Sequence, residues 1–369
     1  MAELRPFPPH PDDVAWPTTA WEEAPAPPEV AADELDARLD RVLGPDQDPA
    51  VGHTNAVAVV HRGRIVAERY GEVEMGPLAE LAGVQPGPIT PATPLHSWSM
   101  AKSVCHLLVG IAQEQGHLRV TDPAPVPAWA DDERSAITWD HLLQMRAGLQ
   151  WAEVYEGFGS EDIPDVVAML YGEASSDMAA FAAGFPLVHE PGSPEAYTYS
   201  SGTTNIVQGC LQRVLQIEGD VVTRVLRELL FDPIGVTSLS LGFDGSGLWV
   251  ASSYLDLTLR DWLRLGLLVL RGGQWDGRQL VPGAWIDHGR TPRSESPLDP
   301  GIFHGAHWWA RAGRDDGGFM AHGFEGQRLL LVPDRDLVVF RNGKTASDQV
   351  EALNEHLWGI VDLFPRIPA

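Results

Sequence analysis

Two pairs of short apolar runs, one near each end of the chain, constrain the fold more than any other feature. Residues 56–60 and 65–70, joined by His61-Arg62-Gly63-Arg64, read as a β-hairpin. Residues 327–332 and 336–341 flank Pro333-Asp334-Arg335 and read as a second hairpin. Between them the apolar spacing is helical over residues 138–146, 162–171, 203–217 and 255–271. Further helical stretches are expected at 28–43 and 347–363. Strands at both ends with helices between exclude an alternating βαβ order. They predict an α+β fold, with an antiparallel sheet built from both chain ends, flanked by helices, and a helical insert. The expected partition is a Pro-rich arm at 1–30, a sheet domain from 31–105 and 236–369, and a mainly helical domain at 106–235.

With 369 residues, 44% of them apolar, the chain can bury a sizeable core. Acidic residues (51) outnumber basic ones (26) for a net charge of −25, which excludes nucleic acid and anionic membranes as partners, since both require basic patches. No stretch is long and apolar enough to span a bilayer. The first 28 residues carry eight prolines and lack the basic start and apolar run of a secretory leader, so a cytoplasmic protein is expected. Cys105 and Cys210, both in apolar helical segments, are expected as buried reduced thiols. There is no H-E-x-x-H, no cysteine pair at zinc spacing, no P-loop and no G-x-S-x-G; neither a cofactor nor a metal is expected.

The sharpest local pattern is Ser99-Met100-Ala101-Lys102, an S-x-x-K opening a helix whose apolar positions are Met100, Val104, Leu107, Leu108 and Ile111. A spacing of three puts Ser99 and Lys102 on one face, and a helix N-terminus favours a developing anion. A serine hydroxyl needs a neighbouring base to become a nucleophile. Lys102 and Lys344 are the only lysines among 26 strong bases. A guanidinium stays charged in proteins, whereas a buried ammonium can lose its proton, so lysine suits the role of base. A capping serine followed by a surface lysine would give the same four letters.

Two further segments stand out. Tyr197-Thr198-Tyr199-Ser200-Ser201-Gly202 precedes the helix expected at 203–217; Tyr199 there is either a packed aromatic or a phenol that shuttles a proton. Gly318-Phe319-Met320-Ala321-His322-Gly323-Phe324-Glu325-Gly326-Gln327 leads into a strand. Its glycines allow either a close substrate approach with a main-chain donor or simply a tight turn entering an edge strand.

In this order and spacing the three segments resemble the class C β-lactamase-like serine hydrolases, nearest to the 6-aminohexanoate-dimer hydrolases and related esterases. The resemblance also rests on Ile137-Thr138-Trp139-Asp140-His141-Leu142-Leu143, Gly148-Leu149-Gln150-Trp151-Ala152-Glu153 and Trp308-Trp309, and runs from about Asn55 to Phe340. It implies a β-lactamase/transpeptidase-like fold. It implies Ser99 as acylated nucleophile, Lys102 as base, Tyr199 as second acid/base, and the Ser99 and Phe324 N–H groups as oxyanion hole. Tyr155, His322 and Trp309 would contact substrate.

Two positions depart from the family pattern. Ser201 stands where the second motif often has Asn, and Ala321-His322-Gly323 stands where β-lactam-processing members have Lys-Thr-Gly or His-x-Gly. Depending on alignment, His322 is either the cationic residue of that motif or the small polar one beside it. The Lys344-Thr345 pair lacks the following glycine. The expected function is a serine hydrolase cleaving a small ester or amide through an acyl-enzyme. The alternatives are a β-lactamase or D-alanyl-peptidase-like enzyme, or a catalytically silent binding protein of the same fold. A homodimer is compatible with the sequence.

Overall fold

The computed structural model describes residues 4–74, 86–153, 163–297 and 299–367. Strand β1 (His53–His61) carries a continuous apolar run because both of its faces are covered: Ala56, Ala58 and Val60 pack into one core cluster, and Val57 and Val59 into another. It turns through Arg62 and Gly63, both in the left-handed region, into β2 (Arg64–Tyr70). The remaining strands of the main sheet come from the end of the chain: β3 (Ser294–Glu295), β4 (Ile302–His304), β5 (Trp309–Arg311), β6 (Phe319–Gly323), β7 (Gln327–Val332) and β8 (Leu337–Lys344). The order is β2-β1-β8-β7-β6-β5-β4-β3, antiparallel throughout. β1 thus sits beside the last strand, with Val57 opposite Arg341.

Helices cover both faces. On one side α1 (Ala32–Val42) and the C-terminal α5 (Val350–Leu363) bury Leu35, Leu39, Leu353, Leu357 and Ile360 against the sheet. On the other lie α2 (Met100–Glu114) and α4 (Leu259–Leu270); the α4 residue Gly266 comes so close to β8 that a Cβ would lie 2.9 Å from Val338. Every residue of α2 from Met100 to Ala112 is buried, the mark of a helix enclosed on all sides. Beyond it pack α3 (Ser201–Leu215) and the short helices of the middle segment. α2 runs unbroken through residues 105 and 106, so the expected domain boundary there falls inside a helix.

Several elements differ from the sequence expectation. The first helix starts at Ala32 rather than 28, because Pro27 opens a turn in which Val30 N–H donates to the Pro27 carbonyl at 2.8 Å. Leu255–Leu257 is a strand paired with Leu95–His96, and α4 begins only after Thr258, which is extended. Phe319–Gly323 is a strand inside the sheet, not a loop entering an edge strand. The helix expected at 162–171 is Asp165–Tyr171, with its first expected position outside the described residues. Cys105 and Cys210 are buried free thiols. Among the described residues no helix is long and apolar enough to cross a membrane.

The N-terminal arm has almost no regular structure yet is firmly seated. Arg264 donates to the Pro17 carbonyl (2.7 Å) and Trp275 to the Thr18 hydroxyl (2.8 Å), while the Arg290 guanidinium stacks over Phe7 at 4.1 Å. Arg271, buried in an ion pair with Asp336 at 2.5 Å, sits beneath the same arm.

Candidate active site

The segment leading into α2 is fixed before the helix begins. His96 pairs in register with Asp256 and also binds its carboxylate, Nδ1 to Oδ1, at 2.7 Å. Ser97 N–H donates to the Leu255 carbonyl (2.9 Å), and its hydroxyl reaches the Ser253 carbonyl (3.1 Å). Trp98 then adopts φ +45°, a conformation that costs a bulky side chain about 1–3 kcal/mol. Its indole is held edge-on by His96 and by Phe324, with ring centroids 4.8 and 5.7 Å away. This turn sets Ser99 at the head of α2.

Ser99 makes no side-chain capping bond and Lys102 is only 2% exposed, so a capping serine with a surface lysine does not describe this pair. Instead Lys102 Nζ lies 2.9 Å from Ser99 Oγ, 3.0 Å from Ser201 Oγ and 2.8 Å from the Ser252 carbonyl. Burial pushes the Lys102 ammonium down to a pKa of about 8, and the Glu153 carboxylate opposes that fall.

Tyr199 stands at the loop-to-helix junction. Thr198 N–H is tied to the Met145 carbonyl at 2.9 Å, and Ser200 caps α3 by accepting from Thr203 N–H at 3.0 Å. The Tyr199 ring lies 5.1 Å from Lys102 Nζ. Burial, reinforced by Glu153, drives the phenol pKa well above its usual value, so it is protonated at neutral pH.

A second layer supports the trio. Ser201 donates its hydroxyl to Glu153 Oε1 (2.6 Å) and its N–H to Glu153 Oε2 (2.8 Å), which also accepts from Trp151 Nε1 (2.6 Å). Sequence reasoning noted Ser201 only as a departure from Asn and gave Glu153 no role. An acid closing an aromatic segment was the available signal for Glu153. The Ser252 carbonyl, being main chain, leaves no trace in the sequence.

The third segment ends beside the turn that leads to Ser99. A Cβ on Gly323 would lie 2.4 Å from the Ser97 carbonyl, so only glycine lets the end of β6 come this close. The following turn passes through Glu325 (φ +55°) and Gly326 (φ +81°). Buried side chains clamp it: Gln327 donates to the Phe324 carbonyl (2.8 Å), Arg328 to the Gly323 carbonyl (3.3 Å), and Arg341 to the carbonyls of Glu325 and Gly326 (both 3.1 Å). The Ser99 and Phe324 main chains are thereby brought into one corner.

Of the remaining residues singled out from the sequence, Trp309 lies directly against Tyr199. Ala321 points into the core and is 1% exposed. Burial, with smaller contributions from Arg328 and Lys102, holds His322 well below the usual imidazole range, so it is neutral. Trp309 is 7% exposed and packs its ring on Tyr199, 5.3 Å between centroids, with His322 behind at 5.6 Å. Trp309 thus backs Tyr199, and the half-buried His322 lies behind Trp309. Tyr155 lies outside the described residues.

The fold has known counterparts. The chain is 23% identical over 255 residues to the 6-aminohexanoate-dimer hydrolase of Paenarthrobacter ureafaciens, an alignment covering 66% of this chain and 64% of that enzyme. It thus spans just under two thirds of that relative. Among solved structures, one described as a candidate 6-aminohexanoate-dimer hydrolase from Bacillus anthracis superposes with a TM-score of 0.70 at 18% identity, covering 98% of this chain and 90% of that one. A penicillin-binding protein from Bacillus halodurans gives 0.63 at 14% identity, covering 88% and 99%. The beta-lactamase family model matches residues 39–356, nearly the whole chain, and the protein belongs to that family.

Proposed function

We propose that this protein is a serine hydrolase that cleaves a small ester or amide through an acyl-enzyme on Ser99, of the 6-aminohexanoate-oligomer hydrolase or carboxylesterase type. The observation that carries the reading is the buried Lys102 amine 2.9 Å from Ser99 Oγ, with a pKa lowered towards the working range. Lys102 takes the Ser99 proton as Oγ bonds to the substrate carbonyl carbon, and the oxyanion forms against the N–H groups of Ser99 and Phe324. Tyr199, protonated at rest, cannot be the first base. It gives its proton to the departing alcohol or amine as the carbonyl bond to that group breaks, and Lys102 returns a proton to it. Water then attacks the ester on Ser99 and gives a proton to the same pair, which passes it to Ser99 Oγ as the bond between Oγ and the acyl carbon breaks and the acid is released.

The acyl chain is neutral or cationic. A buried carboxylate without a partner costs several kcal/mol, and neither Ala321 nor neutral His322 supplies one. The chain's overall charge of −25 also slows the approach of anions. Short esters and linear amides ending in an amine therefore suit the site better than β-lactams or D-alanyl peptides.

The test is labelling with a fluorophosphonate, followed by intact mass and peptide mapping. One adduct on Ser99, absent in Ser99→Ala, is expected; no adduct would mean a silent member of the fold. Steady-state rates should show kcat/KM for p-nitrophenyl esters exceeding that for nitrocefin by about 10² or more, which is under 3 kcal/mol of transition-state preference. Equal efficiency on nitrocefin would overturn the substrate assignment while leaving the nucleophile in place.

A further inference from the structure

Among the described residues Lys102 has three hydrogen-bond partners, and their chemistry decides which way its lone pair faces. The Ser252 carbonyl, 2.8 Å away, can only accept, so one N–H is committed there. Ser201 Oγ, 3.0 Å away, has a single proton, and that proton is given to Glu153 Oε1 across 2.6 Å. Towards Lys102, therefore, Ser201 can only accept a second N–H. The third direction leads to Ser99 Oγ at 2.9 Å. Among these partners, Ser99 is the one left to face the lone pair of the neutral amine.

This arrangement depends on the charge of Glu153. A neutral serine hydroxyl beside a neutral amine would turn its proton into the amine's lone pair, the better acceptor, and would compete with Ser99 for the base. We propose that Glu153 is a positioning residue: it holds the Ser201 proton away from Lys102, so that the amine lone pair is reserved for Ser99. The inference rests on the reading of Ser99 and Lys102 as nucleophile and base, and it assigns the Glu153–Ser201 pair to orienting that base.

The groups facing Lys102 from the surrounding elements leave Glu153 in a special position. Cys105, one turn further along α2, is pushed up to about 12, and Tyr199 is raised further. From the sheet side His307 is lowered to about 3, and His304 and His322 fall well below their usual range. All of these are neutral near pH 8. The Glu153 carboxylate is the largest influence favouring a protonated Lys102, so losing its charge lowers the pH at which Lys102 becomes a base.

Glu153→Gln tests both effects. The single amide oxygen would stay with the two N–H donors, Ser201 N and Trp151 Nε1, leaving the NH₂ group to face Ser201 Oγ. Ser201 would then accept from Gln and turn its own proton to Lys102. The readout is the pseudo-first-order rate constant for fluorophosphonate labelling of Ser99 between pH 5 and 10, followed by intact mass. For Glu153→Gln the plateau should fall by about 10- to 100-fold, as for a misdirected general base, and the rising limb should move to lower pH. Adding Ser201→Ala removes the wrongly turned hydroxyl and should recover about tenfold of the lost rate, whereas two structural lesions would only compound.

An unchanged plateau, a limb that stays or moves up, or a double variant slower than Glu153→Gln overturns the inference. Should Glu153→Gln not accumulate as folded protein, Ser201→Ala alone carries the test. Its plateau should fall, by no more than about tenfold, because the second Lys102 N–H loses its acceptor while no hydroxyl is left to compete with Ser99 for the lone pair; a loss of about 100-fold would show that Ser201 moves the proton itself. Absence of any Ser99 labelling in the wild type would overturn the underlying reading, whereas labelling with an unmoved limb in Glu153→Gln overturns only the role of Glu153.

Discussion

Replacing Lys102 by Met should uncouple stability from pH in a way that reads the burial of the ammonium directly. In the folded protein Lys102 titrates at about 8, against 10.5 for the free side chain. The folded state therefore binds fewer protons than the unfolded state between these values. The resulting cost to stability is fully present below pH 8 and is relieved as pH rises towards 10.5. At 1.36 kcal/mol per pKa unit the cost is about 3 kcal/mol at pH 7, and less than about 1 kcal/mol remains at pH 10. A thioether in its place does not titrate and carries no such cost. It would, however, leave the Ser252 carbonyl without its donor, a pH-independent loss of about 1–3 kcal/mol. Lys102→Met should thus be as stable as wild type or more so at pH 7, and less stable at pH 10. The difference between the two proteins should swing by about 2.5 kcal/mol over that range. Urea denaturation followed by tryptophan fluorescence at both pH values measures it, and other titrating groups cancel in the comparison. A difference between variant and wild type that is the same at pH 7 and pH 10 would refute the buried, proton-poor Lys102.

Three other outcomes follow from the geometry. Tyr199→Phe should lower kcat by about 10² or more on amides but markedly less on p-nitrophenyl esters, whose leaving group needs no proton; equal losses on both would remove Tyr199 as the acid. Gln327→Ala should cost roughly 2–3 kcal/mol of stability, since three bonds to Phe324 and Gly343 are lost from a buried side chain, and should lower kcat more than it raises KM. Thermal melting and steady-state kinetics check it, and an unchanged kcat would show that the turn carrying Phe324 holds without its clamp. Deleting residues 4–22 should lower Tm by several degrees by removing the Pro17 and Thr18 contacts and uncovering Arg271, whereas an unchanged Tm would make the arm an ornament.

The sequence is most legible where one residue type settles the local physics. The run Ala56–Val60 has no polar residue to face water and so marks a strand covered on both sides. The three-residue spacing of Ser99 and Lys102 needed only a helix to bring them together. The sequence is least legible where long-range pairing overrides a local pattern. Leu255 and Leu257 continue the apolar spacing of α4, and only pairing with Leu95–His96 makes them a strand. Phe319–Gly323 is too rich in glycine neighbours to read as a strand until β7 lies beside it. The support of the base was hidden for a different reason: Glu153 lies about 50 residues from Ser201 and Lys102 in either direction, and Ser252 acts through a carbonyl that every residue has.

The pairing of β1 with β8 has a consequence for how the protein comes into being. Val57 and its partner Arg341 are separated by about 280 residues. A ribosome adding 5–20 residues per second makes the second strand of that pair roughly 15–60 s after the first. For most of that interval β1, apolar on both faces, has no partner on its inner edge, and the turn that carries Phe324 does not yet exist. The centre of the sheet and the corner that holds Ser99 therefore close in the same late event. Any released or truncated chain ending before β8 would present a sticky, incomplete sheet, a substrate for chaperones and proteases.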